Sequence, residues 1–270
     1  MSHKKLTVGL ALGGGSARGL AHIGILQALE NTGIAIDYLA GTSAGALVGA
    51  IYASGASSQE MYDFARHIKW HDFFAPSLTF KSLVSSQRLV KFLQKHCRAN
   101  RFEDLQIPFA VVASDFATGQ SVALTKGELF PAVQASCSIP LLCGPVPLNG
   151  RYYIDGGFAA EVPVAPVREL GADIVIACDV NYKAKLLTKP GNFITILIHL
   201  MRLIAKRSAE EAKAQADLVI NVDIRGIGLT DFHKGKELVA RGRQATEAVL
   251  PELQELLAKK VGATAKVASI

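Results

Sequence analysis

The chain opens on an apolar run, Leu6-Thr7-Val8-Gly9-Leu10-Ala11-Leu12, that reads as a strand buried on both faces. Gly13, Gly14 and Gly15 end it in a turn, and residues 17–30 have helical spacing. Residues 36–40 read as a second strand running into Gly41, and a second helix follows over about 44–53. Strand, glycine turn, helix, strand, sharp turn, helix is the alternation of a parallel sheet with helices on its faces.

Further along, helical spacing returns at 57–68 and 87–97. Between them, residues 71–86 mix polar and apolar positions without a period and include Phe73, Phe74, Pro76, Leu78 and Phe80. This segment is either a lid or membrane-contact loop, or simply part of the core. Residues 109–114 form an apolar strand with 121–124 as its hairpin partner, 152–154 are short and extended, and 173–179 form another buried strand. Residues 192–215 read as one long helix, apolar in its first half and charged in its second, with the first half expected to pack against the sheet and an exposed apolar face for lipid docking as the less favoured alternative. A last strand falls at 218–222, and 235–259 is mainly helical with a break at Pro251. The expectation is one domain over residues 1–260 and a small, basic, disordered tail over 261–270.

Composition narrows the classes. The chain has 270 residues, half of them hydrophobic and 19% charged, which suits a single domain with a substantial core and excludes disorder. A net charge of +6 favours anionic partners such as phospholipid surfaces. The basic residues are scattered without an aromatic-basic stripe, so no nucleic-acid partner is expected. The four cysteines form no CxxC pair, which argues against a disulfide framework or zinc site and for reduced thiols in the cytoplasm. Lys4 and Lys5 before the first apolar run mimic a signal peptide, but the glycines cut the run short and a buried strand explains it better. The stretch 193–204, interrupted by His199 and Arg202, is too short to span a bilayer. A cytoplasmic protein is expected, with loose membrane contact left open and the oligomeric state unassigned.

Three short segments point to chemistry. Gly41-Thr42-Ser43-Ala44-Gly45 follows a strand and opens a helix, the context of a nucleophile elbow. The turn lifts the serine hydroxyl off the sheet, and Gly41 and Gly45 remove side chains that would clash in the bend. Gly13-Gly14-Gly15-Ser16-Ala17-Arg18-Gly19 presents backbone N–H groups to whatever lies against it. It fits neither nucleotide template: Arg18 stands where the dinucleotide loop needs glycine, and Leu20 and Ala21 follow Gly19 where the P-loop needs Lys and Ser/Thr. An oxyanion hole is the better reading, against a plain strand-helix turn. Asp155-Gly156-Gly157 is the third segment and is weak alone, since it is also an ordinary turn.

Together these residues carry a resemblance. GGGSARGLAHIGIL, then GTSAGALVGAIYASG, then ASCSIP from Ala135 to Pro140, then DGG from Asp155 to Gly157, in this order and spacing, resemble the patatin-like phospholipase family. The similarity covers about residues 6–180. It implies a three-layer α/β/α fold with a mostly parallel central sheet. It also implies lipid acyl hydrolysis by a Ser-Asp dyad without a catalytic histidine or a cofactor. By that match Ser43 is the nucleophile and Asp155 the base, Gly14 and Gly15 supply oxyanion-hole amides, and Arg18 shapes the loop. The chain departs from the family at Ala159-Ala160-Glu161, where many relatives carry asparagine, and in 73–86, which is more aromatic and poorer in glycine.

The implied dyad is physically reasonable. A free carboxylate, with a pKa of about 3.9, is a poor base, but burial beside the serine would raise its proton affinity. Two rival readings stand beside it: a Ser-Asp-His triad using His199 or His233, and a non-catalytic lipid-binding or regulatory protein on the same fold. His22, in the first helix, reads as a packed structural residue. His67 and His71 are spaced i, i+4, but Ile68 stands where HExxH needs glutamate, so no metal site is expected.

Overall fold

The computed structural model describes residues 6–79 and 82–267. Strand β1 (Val8–Leu12) leads through a 3-10 turn (Ser16–Leu20) into α1 (Ala21–Asn31), then β2 (Tyr38–Thr42) and α2 (Ala44–Ala53). Helix α3 (Ser58–Ala65) precedes a small hairpin of β3 (Ala75–Thr79) and β4 (Ser82–Ser85), and α4 (Gln87–His96) follows. Then come β5 (Phe109–Asp115), β6 (Ser121–Leu124), α5 (Leu129–Ser136), β7 (Val146–Leu148) and β8 (Arg151–Asp155). The chain continues through α6 (Val164–Leu170), β9 (Ile174–Asp179), α7 (Phe193–Lys213), β10 (Leu218–Asn221) and α8 (Gly235–Val267).

Among the described residues, eight strands make one sheet in the order β10-β9-β1-β2-β5-β8-β7, with β6 paired to β5. The β10, β9, β1, β2 and β5 neighbours are parallel, while β6, β7 and β8 pair antiparallel. Strand alternation sorts the side chains. Leu10, Leu12, Leu39, Ile174 and Ile176 face one side with α1, α2, α3 and α8, and the smaller Ala11, Ala40, Ala110, Val175 and Ala177 face the other with α6 and α7. The result is a three-layer α/β/α fold.

Several details differ from expectation. The helix expected over 17–30 splits, because Arg18 N–H bonds back to Gly15 O (3.1 Å) in a tighter turn before α1 begins. The segment 71–86, read as aperiodic, holds the β3–β4 hairpin with an irregular register. Pro251 does not break α8, and it lies on an exposed side of the helix. The same helix runs on to Val267. The first half of α7 is not wholly packed on the sheet, since Phe193, Leu200, Leu203 and Ile204 are exposed. No described helix is long and apolar enough to cross a membrane.

Candidate active site

Two strand ends create the site. β2 runs parallel to β5 and pairs Thr42 with Val112, while β8 runs antiparallel and pairs Asp155 with Ala113. Val112 and Ala113 also pair with Ala123 and Val122 of β6. β6 therefore holds one edge of β5, and β2 and β8 share the other, running toward each other until their ends meet. Ser43, the residue after β2, is held at φ 51° and ψ −117°. That positive φ is costly for a residue with a Cβ, and such strain gathers at functional turns. It aims Ser43 Oγ at Asp155 Oδ2, to which it donates a 2.7 Å hydrogen bond.

The turn tolerates no extra bulk. A Cβ on Gly45 would collide with the Leu12 carbonyl, and one on Gly41 with the Gly45 carbonyl. Ser43 caps the N-terminus of α2, so the helix dipole favours negative charge there. Its N–H donates to Ser136 Oγ (2.8 Å), and Ser136 in turn donates to Val112 O (2.5 Å). Ser136 lies inside the ASCSIP block but had no role assigned from sequence.

Asp155 is only 7% exposed. Its Oδ1 accepts from Gly157 N–H (2.9 Å), leaving Oδ2 for Ser43. Burial pushes the carboxyl up to about 6, against the pull of the Gly157 and Ser43 hydrogen bonds.

The glycine loop divides into two parts. Gly13 N–H donates to Cys178 O (3.1 Å) and Gly14 N–H to Glu161 O (3.0 Å), so both amides are engaged in anchoring the loop. This differs from the expectation that Gly13 and Gly14 offer open donors. The Gly15 and Ser16 N–H groups make no hydrogen bond with the described residues, and both residues line the cleft beside Ser43. His22 is buried and pushed down to about 4 by burial. Its neutral ring lies with Nε2 2.8 Å from Gly13 O, so Nε2–H donates to that carbonyl.

Arg18 lines neither cavity beside Ser43. It is buried, donates from Nε and Nη2 to Ile227 O (3.1 and 2.9 Å), and donates from Nη1 to Asn181 Oδ1 (2.7 Å). Asn181 Nδ2 then donates to Gly14 O (3.0 Å) and to Glu161 Oε1 (2.8 Å). Burial first, then Asp155 and Asp179, push the Glu161 carboxyl well up. Neither Asn181 nor Glu161 was singled out as a site residue from sequence; only the departure at 159–161 hinted at the second.

Two cavities meet at Ser43. A smaller one of about 50 Å³ is lined by Leu47, Ile51, Met61, Phe73, Phe74 and other apolar side chains. A larger cleft of about 490 Å³ is lined by Asp155, Glu161, Asn181, Arg202 and Lys206 and by apolar residues of α7. Ser16, Ser43 and Ile139 border both. Phe73 and Phe74 are buried, with Phe74 stacked on Trp70 at 4.3 Å, so these two belong to the core; Phe80 lies outside the described residues.

Among the described residues, no histidine lines either cavity. His199 lies half-buried on α7 and His233 in a short turn before α8. His67 follows the end of α3 and His71 sits in a 3-10 turn, so they do not share a helix face.

A three-layer α/β/α sheet whose elbow serine bonds a buried aspartate defines a class of serine hydrolase-like folds, and comparison narrows it. The model of the patatin-like phospholipase family matches residues 10–168, and the chain belongs to that family. It is 35% identical over 177 residues to an uncharacterised NTE-family protein of Mycobacterium bovis, covering 64% of this chain and 49% of that one. It is 36% identical over 183 residues to a lysophospholipase of Phaeosphaeria nodorum, covering 65% of this chain and 12% of that one. The chain thus spans about half of the mycobacterial relative and a small part of the fungal one. VipD of Legionella pneumophila shares the fold at a TM-score of 0.54 and 14% identity, over 92% of this chain and 67% of that one.

Proposed function

We propose that this protein is a serine lipid acyl-hydrolase of the phospholipase A, lysophospholipase or carboxylesterase type, working through a Ser43–Asp155 dyad. The observation that carries this reading is the 2.7 Å hydrogen bond from Ser43 Oγ to a buried carboxylate pushed up to about 6. A carboxyl with that proton affinity still ionises near neutrality and is a better base than a free aspartate.

In the first half-reaction Ser43 Oγ attacks the ester carbonyl carbon and its proton passes to Asp155 Oδ2. The oxyanion forms against the unpaired N–H groups of Gly15 and Ser16 and the N-terminal end of α2. Collapse of the tetrahedral species breaks the ester C–O bond, and the leaving alcohol takes the proton back from Asp155. Water then attacks the acyl-enzyme, losing a proton to Asp155; collapse breaks the acyl–Oγ bond, and Asp155 returns the proton to Ser43 Oγ as the fatty acid leaves. The small apolar cavity suits the part of the acyl chain nearest the ester, and the cleft suits the rest of the lipid. The lysophospholipase name of the fungal relative favours a lipid ester over a small water-soluble one.

The test is labelling with a fluorophosphonate and hydrolysis of p-nitrophenyl esters and lysophospholipid by wild type, Ser43→Ala and Asp155→Asn. Wild type should label and turn over, and both folded variants should not turn over. A folded wild type that binds lipid but neither labels nor hydrolyses any ester would sink the reading and favour a lipid-binding role. Loss of activity in His199→Ala or His233→Ala, with Asp155→Asn active, would favour a triad.

A further inference from the structure

Helix α7 has two apolar faces. One, with Ile198, Met201 and Ala205, lines the cleft that opens onto Ser43. At a helical 100° per residue, Phe193, Leu200 and Ile204 fall on the opposite side, and they are 73%, 49% and 51% exposed. Leu203 beside them and Leu187 in the preceding segment are exposed as well. Nothing among the described residues covers these side chains.

The charge around this face is one-sided. Between Asn181 and Ala209 the chain has basic residues and no aspartate or glutamate; Lys183, Arg202 and Lys206 line the cleft, and Lys185, Lys189 and Arg207 remain for the outer side. Lys183 reaches Asp223 at 3.4 Å and Arg207 reaches Glu211 at 2.9 Å, both exposed pairs of little strength. Lys185 and Lys189 have no acidic partner among the described residues. An apolar helix face fringed by cations is the composition of an element that lies in the headgroup region of a bilayer.

We propose that the outer face of α7 and the basic segment before it form a docking surface for an anionic phospholipid bilayer. Charge decides between this occupant and a second copy of the chain. A two-fold dimer through α7 would set a surface of net positive charge against itself, since Glu211 on this side is already paired with Arg207, whereas an anionic headgroup layer complements it. The helix is about 30 Å long at 1.5 Å per residue, and its inner side walls the cleft, so docking through the outer side places the cleft one helix away from the lipid surface. Passage of lipid to Ser43 rests on the hydrolase reading; docking itself does not.

The experiment is co-sedimentation of the full chain with phosphatidylcholine vesicles, with and without phosphatidylglycerol, at low and high salt. Wild type should bind the phosphatidylglycerol vesicles about tenfold or more tighter than phosphatidylcholine alone, and about 0.5 M NaCl should release it. A Leu203→Ser/Ile204→Ser variant and a Lys185→Glu/Lys189→Glu variant should each bind about tenfold weaker. Both should still hydrolyse monomeric p-nitrophenyl butyrate as wild type does, which also reports their folding. Ser43→Ala should bind vesicles normally; bilayer binding without turnover by wild type would remove the hydrolase reading and leave the docking. The docking proposal is overturned if wild type ignores the anionic lipid. It is also overturned if folded variants bind unchanged, or if sedimentation velocity shows a dimer that the Leu203/Ile204 changes dissociate.

Discussion

Thr42 and Asp155 end two strands that approach head-on along one edge of β5, beside the consecutive residues Val112 and Ala113. The spacing of the dyad is therefore set by sheet register, with no flexible loop between Ser43 and the strand end. A one-residue slip of either strand would turn its side chains to the opposite face. This arrangement lets a carboxylate meet the serine directly, a task that many serine hydrolases give to an imidazole.

The first prediction concerns stability. Asp155 binds a proton more tightly folded, at about 6, than its ordinary value of 3.8. Between those values the native state holds the extra proton, so stability falls as pH rises through about 6 and the cost of the buried charge is full above it. Asp155→Asn should abolish turnover and stabilise the protein at pH 8 by on the order of 1–3 kcal/mol. Thermal melts at pH 8 and pH 5 check the sign: the gain in Tm should shrink at the lower pH. A variant destabilised at pH 8 would mean that the carboxylate is held by interactions stronger than its burial.

The second concerns rate. The proton of Ser43 can pass only to ionised Asp155, so kcat/KM should rise with pH and level off above an apparent value near 6. Below it the rate should fall about tenfold per pH unit. Initial rates on one short ester between pH 4.5 and 8.5 are sufficient. A profile flat down to pH 5 would remove Asp155 as the base.

The first half of this site was legible because its signals are local. β1 and β2 are short apolar runs, Gly41 and Gly45 flank Ser43, and Gly13 to Gly15 follow β1 directly. The meeting of Thr42 and Asp155 is a pairing across the sheet, and the match to known motifs stood in for it. Ser136, Asn181 and Glu161 escaped because each acts through backbone atoms far along the chain. The exposed side of α7 was the less favoured of two expectations, because a stretch apolar all round has no period to tell a buried face from an open one.

The third prediction separates Asn181 from Glu161. Asn181 holds Gly14 O and receives Arg18, so it acts as a positioning residue for the loop that ends in the Gly15 and Ser16 amides. Asn181→Ala should lower kcat about ten- to hundredfold with little change in KM, as loss of oxyanion alignment does. Glu161→Gln keeps an oxygen for Asn181 and removes a buried acid beside Asp155. It should retain most activity at pH 8 and melt higher than wild type. If Glu161→Gln is instead as slow as Asn181→Ala, the carboxyl itself takes part in the chemistry.

The last prediction addresses chain length. The apolar cavity at Ser43 holds only about 50 Å³ and is walled in part by Phe73, Phe74 and their aromatic neighbours. An acyl chain of more than a few carbons must displace these side chains or turn into the cleft. Phe74→Leu removes part of that wall while keeping an apolar side chain, so the core should survive with a loss of about 1–2 kcal/mol. Each additional methylene that then fits is worth about 1–3 kcal/mol of discrimination. On a p-nitrophenyl ester series, the optimum should move to longer chains by one or two carbons, with the shortest ester little affected. An unchanged profile with a folded variant would place the acyl chain in the α7 cleft, and the alcohol portion would then face Phe74.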